Sequence, residues 1–444
     1  MKPPALAWII RLIVLTATAA GMHAAPSPVG WTWAGGLTAN SAVVTARIST
    51  TKPARLRLLD SGTVLPPVLT EPFVDGTLHR FVASGLKPDS GYPYTLVDSS
   101  GTPLDDEPRS FRTFPVAGTP ANFRFAVGSC AKGMNSPVFA AAVHQGARFF
   151  VHTGDFHYYD IAENRVEAFR RAYDTHLSSP RLRAMLATVP LIYQWDDHDF
   201  GPNDSNRTSP SREASRQNYR ELVPHYPLSV ITQPDAKSGP IDQAFSVGRV
   251  RFILSDLRSE RDPVGRRLMS AEQDAWLRGQ LIAARDTGHA LIFWVSSVPW
   301  NGAPSKDDRW QGYPAHRTEI ADFIKASGLA GKVAILSGDA HMTAIDDGTN
   351  SDFATGRGAP IPVFQAGPIA NRGSYKGGPY SHGARYQSAP DQLLNQFGLV
   401  DIHDDGKTLR VTWSGRQGSD GLGDQILLSE RDAEGQIHYE FTVP

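Results

Sequence analysis

Metal-capable side chains follow four apolar runs of the sequence, at the points where the runs end. They are Cys130, Asp155, His157, Tyr158, Tyr159, Asp160, Asp196, Asp197, His198, Asp199, Asp339 and His341. Asp and His are also common in solvated loops, so any one of these residues is weak evidence by itself. Their recurrence behind several runs is stronger evidence, because like charges packed together repel unless they share a cation. The pattern therefore favours a metal site over its alternative, a set of solvated loops.

The mixture of donor types indicates two kinds of metal ion. Thiolate and phenolate donors, combined with carboxylate and imidazole, suit a ferric ion or another Lewis-acidic transition metal. Donor sets that are rich in carboxylate instead suit Ca²⁺, Mg²⁺ or Mn²⁺. Two cations bridged by one carboxylate would clamp a phosphoryl group and make a water molecule nucleophilic near neutral pH. The residues thus point to metal-assisted hydrolysis of a phosphate ester.

A layered α/β fold would bring these side chains together. After Ala121, strand-like apolar runs alternate with helix-like stretches, which is typical of such a fold. The runs span 123–127, 148–152, 191–194, 290–296 and 332–336. Ligands of open α/β sheets bind beyond the carboxyl ends of the strands, which is where the metal-capable residues follow.

Local signals add detail to this α/β region. A hairpin with Val247-Gly248 near its turn predicts a mixed sheet. A capping box, Ser270 with Gln273, predicts a helix that stops near Gly288. The sequence from about Phe397 onward predicts closing strands, and the glycine-rich span 367–383 is typical of a mobile loop rather than packed structure.

The chain is predicted to contain three parts. Residues 1–25 have the charged start, apolar stretch and small residues of a secretory signal, and Arg11 interrupts an apolar stretch shorter than the ~20 residues of a membrane span. Short strands and turns over 27–115 predict an all-β sandwich, in which VASGLKPDSGYPYTLV resembles a fibronectin type III domain. Residues 121–444 form the predicted catalytic domain. We therefore expect a periplasmic or secreted protein with no stable membrane span after signal cleavage.

Composition excludes some classes of partner. The formal net charge is −1, and no basic run interleaved with aromatic residues is present, so we do not expect nucleic acid binding. Cys130 is the only cysteine, which excludes an internal disulfide. A buried bystander, an intermolecular partner and a working thiolate all remain open for it.

Four motifs in chain order resemble the PhoD-like (alkaline phosphatase D) family of calcineurin-like metallophosphoesterases. They are Gly-Ser-Cys at 128–130, Gly-Asp-Phe-His-Tyr at 154–158, Trp-Asp-Asp-His-Asp at 195–199 and Gly-Asp-Ala-His at 338–341. The resemblance extends over about 121–378 and, through the sandwich in front, most of the mature chain. It implies a calcineurin-like layered sandwich, with mixed sheets flanked by helices, behind an N-terminal fibronectin type III-like sandwich.

The resemblance also implies roles for individual residues. An iron would be held by Cys130, Asp155, Tyr158 and His341, with Asp155 bridging to a second site. Asp197 and Asp339 would be ligands of the second metal, and Asp197 in place of the usual asparagine favours calcium there. His198 would face the substrate, while Asp196 and Asp199 support their neighbours. We therefore expect ferric iron and calcium, with Mn, Zn or Mg as alternatives.

Arg258, in the stretch SDLRSERD, has two interpretations. It would contact substrate phosphate, which is our preferred reading, or it would form a structural ion pair between acidic neighbours. The function we expect is an exported metal-dependent phosphoesterase acting on small-molecule or polymer monoesters and/or diesters. The alternatives are a phosphodiesterase or phospholipase D-like enzyme acting on lipids or cell-wall polymers, and a noncatalytic surface binding module.

Overall fold

The structure is a computed structural model, and it describes most of the chain. The described residues are 27–50, 52–133, 135–229, 239–305, 308–419, 421–433 and 435–444. The predicted secretory signal, 1–25, lies outside them. No helix within these described ranges is long and apolar enough to cross a membrane.

The N-terminal part consists of two four-stranded antiparallel sheets, with strand orders β1-β2-β6-β5 and β4-β3-β7-β8. Their bounds are β1 Val29–Gly35, β2 Ser41–Ile48, β3 Arg55–Leu58, β4 Val64–Leu65, β5 Leu69–Phe73, β6 Gly76–Ser84, β7 Gly91–Val97 and β8 Arg109–Arg112. The antiparallel β-sheets that the sequence predicts before the α/β region are therefore present.

The remainder contains thirteen strands and seven α-helices among the described residues. The strands are β9 Phe123–Gly128, β10 Phe150–His152, β11 Leu191–Tyr193, β12 Gln243–Val247, β13 Val250–Ser255, β14 Leu291–Ser296, β15 Val333–Ser337, β16 Thr343–Asp346, β17 Val363–Gln365, β18 Ala384–Arg385, β19 Gln396–Asp404, β20 Leu409–Gln417 and β21 His438–Val443. The helices are α1 Pro137–His144, α2 Val166–Leu177, α3 Pro180–Leu186, α4 Asp197–Phe200, α5 Arg212–Leu222, α6 Ala271–Asp286 and α7 Pro314–Ala326, with a short 3₁₀ turn at Trp310–Gly312.

These strands form two mixed sheets that pack face to face. Their strand orders are β11-β10-β9-β19-β20-β21 and β12-β13-β14-β15-β17-β16-β18. Phe125 of the first sheet lies against Phe252 and Phe293 of the second, with ring centroids 5.4 and 5.6 Å apart. Helices flank the sheets, so the predicted fold class is confirmed. Each predicted strand-like run corresponds to an observed strand, because each combines apolar residues with a turn at its end.

The predicted helix and hairpin also form. Ser270 caps α6, accepting a hydrogen bond from the Gln273 amide at 3.3 Å while Gln273 bonds back to the Ser270 amide at 3.0 Å. Strands β12 and β13 pair antiparallel through the Val247–Val250 turn. Since β13 is then parallel to β14, the sheet is mixed as expected.

The N-terminal sheets pack directly on the α/β part. Trp31 donates from its indole to Asp174 at 2.7 Å, and Trp33 donates to the Leu191 carbonyl at 2.8 Å. The guanidinium of Arg80 donates to the carbonyls of Arg220, Glu221 and Val223, which satisfies the end of α5. The domain limits at 115 and 121 stay predictions, but both parts are joined by buried polar contacts.

The glycine-rich span 367–383 contains neither helix nor strand among the described residues, yet it is packed. Ile369 and Tyr380 within it are buried. The Ile369 amide donates to the Ser129 carbonyl at 2.7 Å, beside Cys130. The expectation that this span is not packed structure is therefore wrong. The apolar residues between the glycines bury themselves and hold the span against the strand ends.

Candidate metal centre

Backbone contacts tie together the loops that carry the predicted ligands. Strands β9, β10 and β11 are parallel neighbours, so their carboxyl ends meet at one edge. The Cys130 amide donates to the Gly154 carbonyl at 3.1 Å, and the Ala131 amide donates to the Asp155 carbonyl at 2.8 Å. A Cβ on Gly154 would lie 2.5 Å from the Asp196 Cβ, so only glycine permits the loops to approach this closely.

Predicted ligands adopt left-handed backbone conformations. The φ values are 61° at Cys130, 58° at Asp155, 62° at Asp339 and 52° at His341. Such conformations cost non-glycine residues of order 1 kcal/mol each and cluster at functional sites. The fold therefore maintains an unfavourable backbone at four of the six residues predicted to be metal ligands.

A first cluster combines a thiol, a carboxylate and an imidazole. Ligand atoms of Cys130, Asp155 and His341 lie within 4.8 Å of one another. The Tyr158 hydroxyl donates to Asp155 Oδ2 at 2.7 Å and lies 3.0 Å from His341 Nε2. Because His341 Nδ1 contacts the Arg372 carbonyl at 3.1 Å, the imidazole can present the Nε2 lone pair to the cluster. The four residues that the family resemblance assigns to iron thus lie close together.

A second cluster shares Asp155 with the first. Ligand atoms of Asp155, Asp197 and His198 lie within 4.8 Å of one another. Asp155 Oδ1 is buried and has no hydrogen-bond partner among the described residues. A buried carboxylate oxygen without a partner is costly, and a cation would satisfy it. Asp155 therefore belongs to both clusters, and its role as a bridge between two metal ions stays a prediction.

A third cluster was missed by the sequence reasoning. Asp197, Asp204 and Asp308 bring carboxylate oxygens within 4.8 Å of one another. Asp308 also accepts from Arg258 at 2.8 Å and from Arg261 at 3.2 Å. The stretch KDDR at 306–309 contains the acidic signal, but nothing in its local sequence places it beside Asp197.

Burial and nearby negative charge favour the protonated forms of three side chains in the first cluster. Burial, together with the Asp197 and Asp196 charges, raises the pKa of Asp155 well above its usual value. Burial and Asp155 likewise raise the pKa of both Cys130 and Tyr158. A bound cation would reverse these shifts by stabilising the deprotonated forms. The donor set therefore fits a metal that binds with release of protons.

Asp197 has the opposite electrostatics. Burial by itself raises the pKa of this carboxyl, but the charges of Arg258 and His198 together with the Asp204 amide hold it well below its usual value. The Asp204 amide donates to Asp197 Oδ2 at 2.7 Å. Asp197 is thus a carboxylate across the ordinary pH range and is ready to bind a cation.

His198 lies at the accessible side of the second cluster. Its Nδ1 is 2.5 Å from Asp160 Oδ1, and its ring lies over Tyr158 with the centroids 4.1 Å apart. The Asp160 carboxylate orients the imidazole and leaves Nε2 for another partner. From the sequence, Asp160 could either orient a ligand as a neighbour of Tyr158 or be merely exposed.

Arg258 is completely buried among carboxylates. It donates to both oxygens of Asp196, at 2.6 and 2.7 Å, and to Asp308 at 2.8 Å. Asp197 Oδ1 lies 3.6 Å from the same guanidinium. These contacts correspond to the ion-pair interpretation, and the predicted contact with substrate phosphate stays a prediction.

The other acidic residues of the WDDHDFG stretch make supporting contacts. Asp196 accepts from Ser297 at 2.7 Å in addition to Arg258. Asp199 accepts from the amides of His157 and Asp196, at 3.0 and 3.1 Å. Asp199 therefore fixes the loop that carries Asp155 and Tyr158 relative to α4.

Asp339, which the resemblance implies as a second-metal ligand, makes two ion pairs, and its ligand role stays a prediction. Its Oδ1 accepts from Lys376 Nζ at 2.9 Å, and its Oδ2 accepts from Arg309 at 3.4 Å. None of the metal-capable clusters among the described residues includes it. The structure therefore places Asp339 beside the centre but pairs it with two cationic side chains that the sequence reasoning did not identify.

Comparisons with known proteins agree with the fold. Alkaline phosphatase D of Bacillus subtilis (strain 168) is 25% identical over 313 residues, which is 59% of this chain and 52% of the relative, so the match spans about half of that relative's length. A solved structure of PhoD has a TM-score of 0.64 at 18% identity, with 91% of this chain and 93% of that chain covered.

Purple acid phosphatase PPD1 from yellow lupin (Lupinus luteus) seeds has a TM-score of 0.60 at 13% identity, with 94% of this chain and 74% of that chain covered. These two structural likenesses show a shared fold. The sequence profile of PhoD-like phosphatases matches residues 125–413 of the chain. That span contains the four motifs and the three clusters described above, and the chain therefore belongs to the PhoD-like phosphatase family.

Proposed function

We propose that the protein is an exported, metal-dependent phosphoesterase that hydrolyses phosphate monoesters and/or diesters with an activated water molecule. The observation that carries this proposal is the position of Asp155, which belongs to two metal-capable clusters and has a buried oxygen without a partner. Membership in the PhoD-like phosphatase family supports the same reaction class.

Two groups of residues would hold the metal ions. The first group provides a thiolate, a carboxylate, a phenolate and an imidazole, from Cys130, Asp155, Tyr158 and His341 in that order. These donors suit ferric iron. Asp155 and Asp197, with Asp204 and Asp308 nearby, provide carboxylate oxygens, which suit calcium. When bound, the two ions would supply Lewis acidity that activates a water molecule and neutralises charge on the phosphoryl group.

His198 would handle the proton of the leaving group. Its Nδ1 is engaged by Asp160 at 2.5 Å, so a protonated imidazole would donate from Nε2 to the leaving oxygen while Asp160 stabilises its charge. The Tyr158 ring lies against this imidazole, and its hydroxyl donates to the Asp155 carboxylate. No phosphorylated side chain is required.

Arg258 would act by positioning the acidic residues. Its guanidinium joins Asp196 and Asp308 and lies near Asp197, so it keeps the carboxylates of two loops in place and limits their mutual repulsion. Because the side chain is fully buried and each of its three nitrogens donates to a carboxylate, we propose this role ahead of direct contact with substrate.

Hydrolysis of model esters tests the proposal. We expect the secreted, natively expressed protein to hydrolyse p-nitrophenyl phosphate or bis(p-nitrophenyl) phosphate, and Asp155→Asn to abolish that activity. Asp391→Asn, which changes a fully exposed carboxylate, is the matched control and should retain activity. A parent protein without bound metal and without hydrolysis of either ester would contradict the proposal and favour a noncatalytic binding module.

Export is a separate part of the proposal. The secretory pattern of residues 1–25 supports a periplasmic or secreted location. Detection of the shortened mature chain outside the cytoplasm would support it. Retention of the full-length chain in the cytoplasm would contradict it.

A further inference from the structure

We propose that Lys376 binds a non-bridging oxygen of the substrate and selects phosphate monoesters over diesters. This inference rests on the proposed function and names its substrate class. It is drawn from the placement of Lys376, its unused hydrogen-bonding capacity and its charge.

The placement of Lys376 is fixed by backbone contacts to a ligand-bearing loop. The Ser374 amide donates to the His341 carbonyl at 3.1 Å, and the Ser374 hydroxyl donates to the Ala340 carbonyl at 2.9 Å. The Lys376 amide then contacts Met342 Sδ at 3.4 Å. Residues 374–376 thus run alongside 340–342, which holds the lysine next to the first cluster.

The ammonium group has hydrogen-bonding capacity left over. Lys376 Nζ donates to the Asp339 carbonyl oxygen at 3.0 Å and to Asp339 Oδ1 at 2.9 Å. An ammonium carries three donors, so these contacts, the ones that Lys376 Nζ makes with described residues, leave one for a ligand. The Lys376 side chain is 26% exposed, whereas the Asp339 side chain is 9% exposed, so the lysine is the more accessible member of the pair.

The local charge is suited to a dianion. The Asp339 carboxylate lies between Lys376 and the Arg309 guanidinium, which is 3.4 Å away on the other oxygen. One carboxylate therefore holds two cationic groups at this edge of the site. A phosphate monoester has a second ionisation near pH 6 and is a dianion with three non-bridging oxygens at alkaline pH. A diester is a monoanion with two, so it gains less from an added cation.

Direct binding and turnover test this proposal together. Inorganic phosphate and dimethyl phosphate serve as calorimetric probes of the metal-loaded protein at pH 8.5. We expect Lys376→Met to weaken inorganic phosphate about tenfold or more, the typical loss for a charge-assisted hydrogen bond, and to weaken dimethyl phosphate much less. KM for p-nitrophenyl phosphate should rise more than KM for bis(p-nitrophenyl) phosphate.

Two further variants keep the result interpretable. Lys376→Arg retains the charge and should recover part of the phosphate affinity. Lys407→Met removes an exposed lysine from the β19–β20 turn and should leave both affinities unchanged. Metal content and thermal unfolding of each variant are measured in parallel.

The outcomes separate this proposal from the proposed function. Equal weakening of both anions, no weakening of inorganic phosphate, or a loss that only follows lost metal would overturn the role of Lys376. If Lys376→Met selectively loses phosphate binding but the parent protein hydrolyses neither ester, the phosphate site would be supported. The enzymatic proposal would then be contradicted.

Discussion

Asp160 Oδ1 lies 2.5 Å from Nδ1 of His198, so a carboxylate from the β10 loop orients an imidazole at the start of α4. The two residues are 38 positions apart in the chain. Their pairing leaves Nε2 of His198 facing away from Asp160, where a leaving group would need a proton.

Loss of the imidazole should reduce turnover strongly. We expect His198→Gln to lower kcat by about 10²–10⁴, the usual contribution of a positioned general acid. The loss should be greater with phenyl phosphate than with p-nitrophenyl phosphate, because the poorer leaving group depends more on protonation. Steady-state kinetics with both esters measure the difference, and equal losses would contradict a proton-donating role.

Loss of the orienting carboxylate should act through the same imidazole. We expect Asp160→Asn to lower kcat about tenfold or more, and to cause little further loss when combined with His198→Gln, since residues that act as a unit are not additive. Glu163→Gln changes an exposed carboxylate of the same loop and is the control. Full additivity in the double variant would refute the coupling.

The buried arginine should matter for stability. Arg258→Met would leave Asp196 and Asp308 without their common cation, and breaking such a buried pair typically costs about 3–5 kcal/mol of the free energy of unfolding. Arg165→Met removes a pair that is largely exposed and should cost less than about 1 kcal/mol. Denaturant unfolding of the two variants compares them, and similar small losses would contradict the positioning role.

Asp242 predicts a pH dependence of stability away from the metal centre. Burial and the Asp256 charge raise the pKa of this carboxyl from 3.8 to about 8. The folded state therefore holds a proton that the unfolded state releases above pH 4, so Asp242 lowers stability progressively as pH rises from about 4 to 8.

Asp242→Asn removes this titration. The fall in the free energy of unfolding from pH 5 to pH 8 should then be shallower than in the parent by at least ~1 kcal/mol, the equivalent of about one pKa unit. Asp391→Asn should leave the slope unchanged. Identical slopes for Asp242→Asn and the parent would show that the carboxyl is ionised in the folded protein.

The sequence predicted the strands of the site well, for a physical reason. The runs that became β9, β10, β11, β14 and β15 are apolar and end in turns, and parallel strands bring their following residues to one edge. Cys130, Asp155 and His341 could therefore be grouped before the structure was known. Their left-handed backbone conformations have no sequence signal beyond the glycines that precede some of them.

Residues from irregular segments were not predictable in the same way. Asp308 and Lys376 enter the site from loops whose positions depend on packing against distant strands. The partners of Arg258 depend on the charges that the fold places around it. The sequence does not show these charges, so it could not distinguish a contact with substrate phosphate from a structural ion pair. The glycine-rich span was taken for an unpacked loop because its buried residues, Ile369 and Tyr380, are separated by glycines and polar residues.

The central claim is that Asp155 joins a thiolate-containing metal site to a carboxylate-rich one. Metal analysis of the natively expressed protein and three variants tests it most directly. We predict that Cys130→Ala loses the transition metal and retains the second metal, that Asp197→Asn does the reverse, and that Asp155→Asn loses both. A Cys130→Ala variant with its full complement of iron and full activity would contradict the account.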